Sequence, residues 1–492
     1  MGVKVRAATV AVLAAFSTVA TGCGGDRQAG SKEGAGAPVT LKIWDFSEEQ
    51  TEFHKRVAAQ YHKDHPNVTV EWRETAQADY KKALPLAFQS NQTPDIFYWS
   101  DNPPVTMNLL LDQGWIAPLG DNGKVPDSFT GRWPKGMFVD GVNIRDGKTY
   151  GFPFSDNVVW GPGYMFLNKR AFADAGLNAD QAPKTWSELK STCEQIKAKT
   201  PKVYCLAVPT KSTDFQRIFY GLMGGKITIE QFFDYRNGTF ALAEPKLAET
   251  MKYIQDLNNA KLIAPGNNTK EFSREQFATG GAAIYLDGAW MPSSFVKDYK
   301  MKPDEFAVHV RPLPDDGATG AMPRSHDGNK YWISSKSTQQ AEAWKFLDWM
   351  TRPDGYFARE YYKDGYGTVA FSDPAKYAQN AQVKEMMGLA RAAKPWRVQV
   401  PVAVIRCPDI AKSKAFLDAL KVRPNGEYEV MVDALNGNKD LTVAAKSLVD
   451  QRQQILEDGL KKEAAAGLKV SIDCYRYPDW DYLKDYTTTA QR

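Results

Sequence analysis

The sequence predicts an α/β protein built as two lobes, and three observations carry that prediction. The chain has 492 residues, and single hydrophobic cores stop growing at roughly 250 to 300 residues. From residue 39 onward, apolar residues repeat first at every second position and then at every third or fourth. That pattern marks strands alternating with helices and a mainly parallel sheet. Apolar residues make up 43% and charged residues 24%, which supplies real cores and lies outside the composition of disordered chains.

Residues 40–44 read as the first strand, and Phe53, Val57 and Tyr61 then fall on one helix face. Val68, Val70 and Trp72 alternate as a half-buried strand does, and a helix carrying Leu84 and Phe88 leads to a third strand over residues 95–99. Ligands of such sheets sit beyond the carboxyl ends of the strands. Trp44 and Asp45 occupy that place, as do Trp99, Ser100 and Asp101. Residues 147–172 are unusual: Thr149, Tyr150 and Phe152 are strand-like, Ser155, Asp156 and Asn157 interrupt, and Met165, Phe166 and Leu167 resume the apolar run after Gly161 and Gly163. A helix from Lys169 should stop at Gly176, a suitable left-handed cap. Thr185 to Glu188 reads as a capping box and Ser273 to Gln276 as a second one. Residues 204–208, 282–286 and 331–334 read as strands. A helix with Ala341, Trp344 and Leu347 follows, and the last long helix carries Leu441, Leu448 and Ile455.

Lys4 and Arg6 precede an apolar run over residues 7–19, followed by Ala20, Thr21, Gly22 and Cys23. This is the layout of an export signal. The run is too short to span a bilayer, which takes about 20 residues. Ala-Thr-Gly-Cys resembles the bacterial lipobox, with Ala20 in place of the usual Leu; residues 1–22 would be removed and Cys23 would carry the lipid. Residues 23–38, rich in Gly, Ser and Ala, read as a flexible tether. Cys193, Cys205, Cys407 and Cys474 remain, an even number that in an exported protein favours disulfides. Three pairings are open. Cys193 with Cys205 is preferred, since it would clip a helix to the following strand, together with Cys407 with Cys474. No Cys-x-x-Cys pair occurs and there are only five His, which argues against zinc. The formal charge of +4, half of it from Lys4 and Arg6, suggests no nucleic-acid or membrane-surface partner.

Signatures of phosphate-loop, zinc-protease, serine-hydrolase and dinucleotide enzymes are absent from the sequence. The 58 Asp and Glu residues always offer some carboxylate pair, so glycoside hydrolysis stays open. The positive signal is aromatic. There are 13 Trp, several beside polar residues in loops: Trp44 with Asp45, Trp99 with Asp101, Trp160 with Asp156 and Asn157, Trp290 with Asp287, and Trp396 with Arg397. A sugar has an apolar C–H face and a rim of hydroxyls, so its site needs flat rings flanked by carboxylate, amide and guanidinium groups. A single Trp in a large α/β protein is more often core than platform, but five at predicted strand ends are harder to assign to a core.

The order of motifs is similar to that of the bacterial extracellular solute-binding proteins of sugar ABC transporters, the family that includes maltodextrin-binding protein. "PDIFYWSD" from Pro94, "DGKTYGFPF" from Asp146, "MFLNKRAFADAGL" from Met165 with "PKTWSEL" from Pro183, "GGAAIYLDGAW" from Gly280 and "YWISSKSTQQAEAWKFLDWM" from Tyr331 resemble its successive blocks. The resemblance implies a periplasmic-binding-protein-like fold of type II. One lobe would comprise residues 39–152 and 287–370, the other 153–286 and 371–492. Residues 151–160 would be the first crossing between lobes and residues 282–286 the second. Trp99 and Trp290 match sugar-stacking positions, Gly288 lets the backbone turn before Trp290, and Trp44, Asp45 and Asp156 lie near hydroxyl-binding positions. Trp396 matches less closely, and Gly161-Pro162-Gly163 lengthens the first insert. The implied function is capture of a sugar, an oligosaccharide by preference, by a lipid-anchored monomer without cofactor or enzymatic activity, for delivery to a membrane permease with a separate ATPase. The alternatives are a secreted glycoside hydrolase and a binding protein for a polyamine or peptide.

Overall fold

The computed structural model describes residues 37–100, 106–155, 162–223, 232–266, 268–316, 322–324, 329–377, 381–392, 397–423 and 426–486. Cys23 and its flanks, Asp101, Asp156, Asn157, Trp160 and Trp396 lie outside them, and of Arg397 only the backbone is described.

Two four-stranded sheets organise the chain. The first uses β1 (Val39–Asp45), β2 (Val68–Glu74), β3 (Ile96–Tyr98) and a late strand, β8 (Tyr331–Ile333), in the order β8-β3-β1-β2. β1 pairs in parallel with β2 and β3, and β8 joins antiparallel at the edge. Leu41 and Ile43 of β1 are fully buried while Lys42 between them is exposed, so the strand period of two selects the inner face. Phe53, Val57 and Tyr61 close that face from the helix Thr51–Asp64, as their spacing predicts.

The second sheet uses β4 (Pro162–Asn168), β5 (Tyr204–Ala207), β6 (Ala282–Gly288) and β7 (Phe306–Val310) in the order β7-β4-β6-β5. Only β6 with β5 is parallel. The helix from Lys169 ends at Gly176, whose φ of +72° is the expected left-handed cap. Thr185 accepts from the Glu188 backbone N–H at 3.2 Å, but the reciprocal arm of the expected box goes elsewhere: the Glu188 carboxylate accepts from the Lys184 N–H at 2.6 Å. The second expected box does not form. The helix begins at Lys270 with Thr269 as its cap, which buries Ser273 and places Arg274 inside the helix. Thr269 and Ser273 are both good caps, and the chain uses the earlier one.

The expected lobe boundaries change in two places. Residues 282–286 are not a crossing; β6 is an inner strand of the second sheet, buried along its whole length. Residues 289–310 likewise stay with the second sheet, because β7 pairs with β4 and Met291 and Phe295 share a core with Phe166, Phe277 and Phe306. The chain therefore leaves the first sheet between Phe154 and Pro162 and returns between Val310 and Tyr331. Pro153 bridges antiparallel to Asn329, and Ser155 to Val369. A third core joins the C-terminal region to both halves, gathering Val398, Phe416 and Leu456 around Phe233 and Phe240 and reaching Val139 and Val142. In the last long helix Leu448 is buried, whereas Ile455 is exposed and Leu456 packs instead. Both preferred disulfides are present, Cys193 with Cys205 and Cys407 with Cys474.

Candidate ligand-binding cleft

A cavity of about 670 Å³, within the ~300–1,000 Å³ usual for small-molecule sites, is lined by residues next to the first sheet and by helix residues that pack with the second. Phe46 to Gln50, Tyr98, Phe154, Lys330, Tyr331 and Tyr361 form its first wall. The second comes from Arg217, Lys270, Arg274, Trp290, Ser294 and Asp298. Its first wall lies beyond the carboxyl ends of β1 and β3, as parallel-sheet sites do.

Strand alternation decides which of the predicted residues reach this space. Asp45 and Tyr98 end their strands on the cleft side. Trp44 and Trp99, one position away, turn to the opposite face and pack in a core with Tyr80, Leu84 and Phe88 of the helix Gln77–Gln89. Trp44 there lies under Arg73, whose guanidinium is 5.1 Å from the ring centre, and Trp99 meets Trp115 edge-on at 6.0 Å. Neither tryptophan, expected to stack on or lie near a sugar, is among the residues that line this cavity. Tyr98, beside Trp99, is the ring that borders the cavity at the end of β3.

Asp45 is a brace for the wall and not a group presented to a ligand. It is fully buried. One oxygen accepts from the backbone N–H groups of Phe46 (2.6 Å) and Ser47 (2.9 Å), and the other from the Tyr331 hydroxyl (2.8 Å). These bonds pin the turn that carries Glu48, Glu49 and Gln50 into the cleft. Glu49 keeps solvent contact but is hemmed in by protein. The poor solvation raises its carboxyl from the ordinary value, its own backbone N–H lowers it, and Asp45 and Asp298 add repulsion.

Asp287 is buried in the same way beneath the second wall, at 2% exposure. Its oxygens hold Arg274 at 3.0 Å and Arg217 at 3.8 Å and accept from the Tyr285 hydroxyl at 3.2 Å and the Gly288 N–H at 2.9 Å. Arg217 also pairs with Asp214 at 2.6 Å. Burial pushes the Asp214 carboxyl up, but Arg217, Lys270 and Arg274 outweigh it and hold the group below its usual value. Asp287 therefore orients two guanidinium groups toward the cleft and has no oxygen left over for a ligand.

Among the described residues, Trp290 is the one predicted aromatic that lines the cavity. Its indole folds back on Gly288, where an added Cβ would lie 2.1 Å from the ring. Gly288 thus provides room for the ring; the sharp turn expected of it is not what the position requires. The Arg217 guanidinium lies 4.8 Å from the centre of the indole, a cation–π stack. The second wall is therefore a ring with an oriented donor fork laid beside it.

Lys330 was not foreseen. It follows Asn329, which bridges to Pro153; it is 8% exposed and places its ammonium 5.2 Å from the Phe154 ring centre and 5.7 Å from that of Tyr98. Burial pulls its pKa down to about 8, against the pull of Asp45 and Glu49. The folded value lies below that of the unfolded chain, about 10.4. Below pH 8 both states hold the proton and the full cost of burying it stands. Between the two values the unfolded chain binds more protons, so stability rises with pH across that window. We expect this slope in wild-type unfolding free energies and its loss in Lys330→Met; coinciding slopes would contradict the assignment.

Among the described residues, no cluster of His, Cys, Asp and Glu is arranged to hold a metal ion, and no helix is long and apolar enough to cross a membrane.

Comparison with known proteins agrees with this architecture. An uncharacterised ABC transporter extracellular-binding protein of Pyrococcus horikoshii is 29% identical over 227 residues, 43% of this chain and 49% of that protein. The sn-glycerol-3-phosphate-binding periplasmic protein of Rhizobium meliloti is 25% identical over 214 residues, 41% of this chain and 46% of that one. The chain thus aligns over about half the length of these curated relatives. The crystal structure of the GacH receptor of Streptomyces glaucescens shares the fold, with a TM-score of 0.62 at 18% identity over 86% of this chain and 99% of the receptor. The profile of the family described as bacterial extracellular solute-binding protein matches residues 45–356, more than half of the chain, and the protein belongs to that family.

Proposed function

We propose that this protein captures a sugar, an oligosaccharide by preference, in the cleft between its two lobes and delivers it to a membrane permease driven by a separate ATPase, with no chemistry of its own. One observation carries the reading: both lobes contribute to a single cavity that combines rings (Tyr98, Phe154, Trp290) with hydrogen-bonding charges (Glu49, Arg217, Arg274), the two guanidinium groups being held by Asp214 and Asp287. Only a closed form lets one ligand touch both walls, so the ligand stabilises closure by the contacts it gains there. The GacH receptor, whose structures include a complex with acarbose, supports a sugar as the ligand. The first lobe would hold β1, β2, β3 and β8, the second β4 to β7, with crossings near Pro153 and Asn329.

A second reading is favoured by Arg217, Lys270 and Arg274 on one wall and by the relative that binds sn-glycerol 3-phosphate: a ligand carrying phosphate. Asp214, Asp287 and Glu271 offset all three cations, which favours the uncharged sugar. A thermal-shift screen of neutral oligosaccharides and sn-glycerol 3-phosphate separates the two. A true ligand at 100 times its dissociation constant stabilises by about 2.7 kcal/mol. Oligosaccharide cleavage during the incubation would instead show a hydrolase.

The protein would work outside the cytoplasm as a monomer anchored through a lipid on Cys23. Cys23→Ser should move it to the soluble fraction; persistence in the membrane fraction rules the anchor out.

A further inference from the structure

Outside the ligand cleft and the third core, a polar cluster among the described residues also joins the lobes through side chains. On the second lobe, the helix Met291–Lys297 is fixed by Met291 and Phe295 in the core with Phe166 and Phe306. On the first, the helix Tyr356–Lys363 and the loop after it are fixed by Phe357, Tyr361 and Tyr366 in the core with Leu41 and Phe53. Between them, the Lys297 ammonium lies 3.0 Å from a carboxylate oxygen of Asp364, and the same oxygen takes Arg56 of the first lobe at 2.6 Å. The Lys297 ammonium also stands 3.8 Å from the ring centre of Tyr366. The Ser293 hydroxyl donates to the Asp364 carbonyl at 3.1 Å.

We propose that Lys297, Asp364 and Tyr366 form a closure latch, positioning residues that set how readily the two lobes come together and hence how tightly the ligand is held. This rests on the reading of the protein as a binder that closes. None of the three lines the cleft, yet Lys297 and Tyr366 are each one step from it: Ser294 and Asp298 flank Lys297 and line the cavity, and the Tyr366 hydroxyl donates to the carbonyl of Glu49 on the first wall at 3.1 Å. The latch is built to open. The side chain of Lys297 is 34% exposed and that of Asp364 15%, and ion pairs and cation–π contacts that keep solvent access are individually weak. They bias the equilibrium between open and closed without freezing it.

Spin labels at Lys82 on the first lobe and Lys252 on the second, both well exposed, report the lobe separation in the ligand-free full-length protein by pulsed electron resonance. We expect Lys297→Gln to lower the closed-to-open ratio by about 3- to 10-fold, and Lys297→Arg, which keeps the charge, to shift it far less. Melting temperatures near that of the wild type show that each variant folds. Superimposable distance distributions for wild type and Lys297→Gln overturn the latch, as does an equal shift in Lys297→Arg. A single narrow distance in every protein, unmoved by any sugar of the panel, overturns the closing reading itself.

Discussion

Asp287→Ala should destabilise the ligand-free protein by about 3 to 5 kcal/mol, the usual cost of removing one partner of a buried ion pair. The carboxylate is 2% exposed and compensates Arg274, whose side chain is 12% exposed. Burial lowers the Arg274 pKa, and Asp287 together with Tyr285 raises it by more, so the pair is interdependent. The Nε of Arg274 has no partner among the described residues, so the variant would leave a buried guanidinium whose contacts with Tyr285 and Asp214 replace no direct ion pair. Arg217 should suffer less, because Asp214 remains at 2.6 Å. The origin of the cost is testable. If it is an uncompensated charge, Asp287→Ala combined with Arg274→Leu should recover much of the loss, since an apolar replacement of a whole buried pair is often neutral. Chemical denaturation of the single and double variants measures both quantities. A double variant less stable than Asp287→Ala would contradict the charge argument.

The fold was legible wherever one signal acted alone. Period-two and period-four patterns found β1, β2 and the helix between them, Gly176 found its cap, and both disulfides join the preferred partners. The lobe boundary at residue 287 was not legible, because a buried strand that stays in its sheet and a buried strand that crosses between lobes have the same apolar composition. Only the pairing of β7 with β4 separates them. The candidate site was legible to the strand end but not to the side chain. Trp44 and Asp45 are adjacent, as are Tyr98 and Trp99, and a shift of one residue exchanges cleft for core. Large aromatic residues drew attention, while the sheet turned two of them inward against the helix Gln77–Gln89. Arg274 would have emerged had Thr269 been weighed as the cap. Arg217 and Lys330 carry no local motif; tertiary packing alone brings them to the cleft.

Trp290 is where the account is most exposed to test. Half-buried, lining the cavity and stacked with Arg217, it should serve the ligand more than the core. Trp290→Ala should therefore weaken binding by about 2 kcal/mol or more, the loss expected of a buried binding hot spot, or roughly 30-fold in affinity. Its cost to the ligand-free protein should stay below the ~3–5 kcal/mol of a core Trp truncated to Ala, since part of the ring already faces the cavity and Arg217 keeps its carboxylate partner. Calorimetric titration of the best sugar from the screen into wild type and Trp290→Ala, with ligand-free unfolding curves beside it, is the decisive measurement. The account predicts strongly weakened binding in a protein that still folds, and unchanged affinity in a protein that has lost its stability would contradict it.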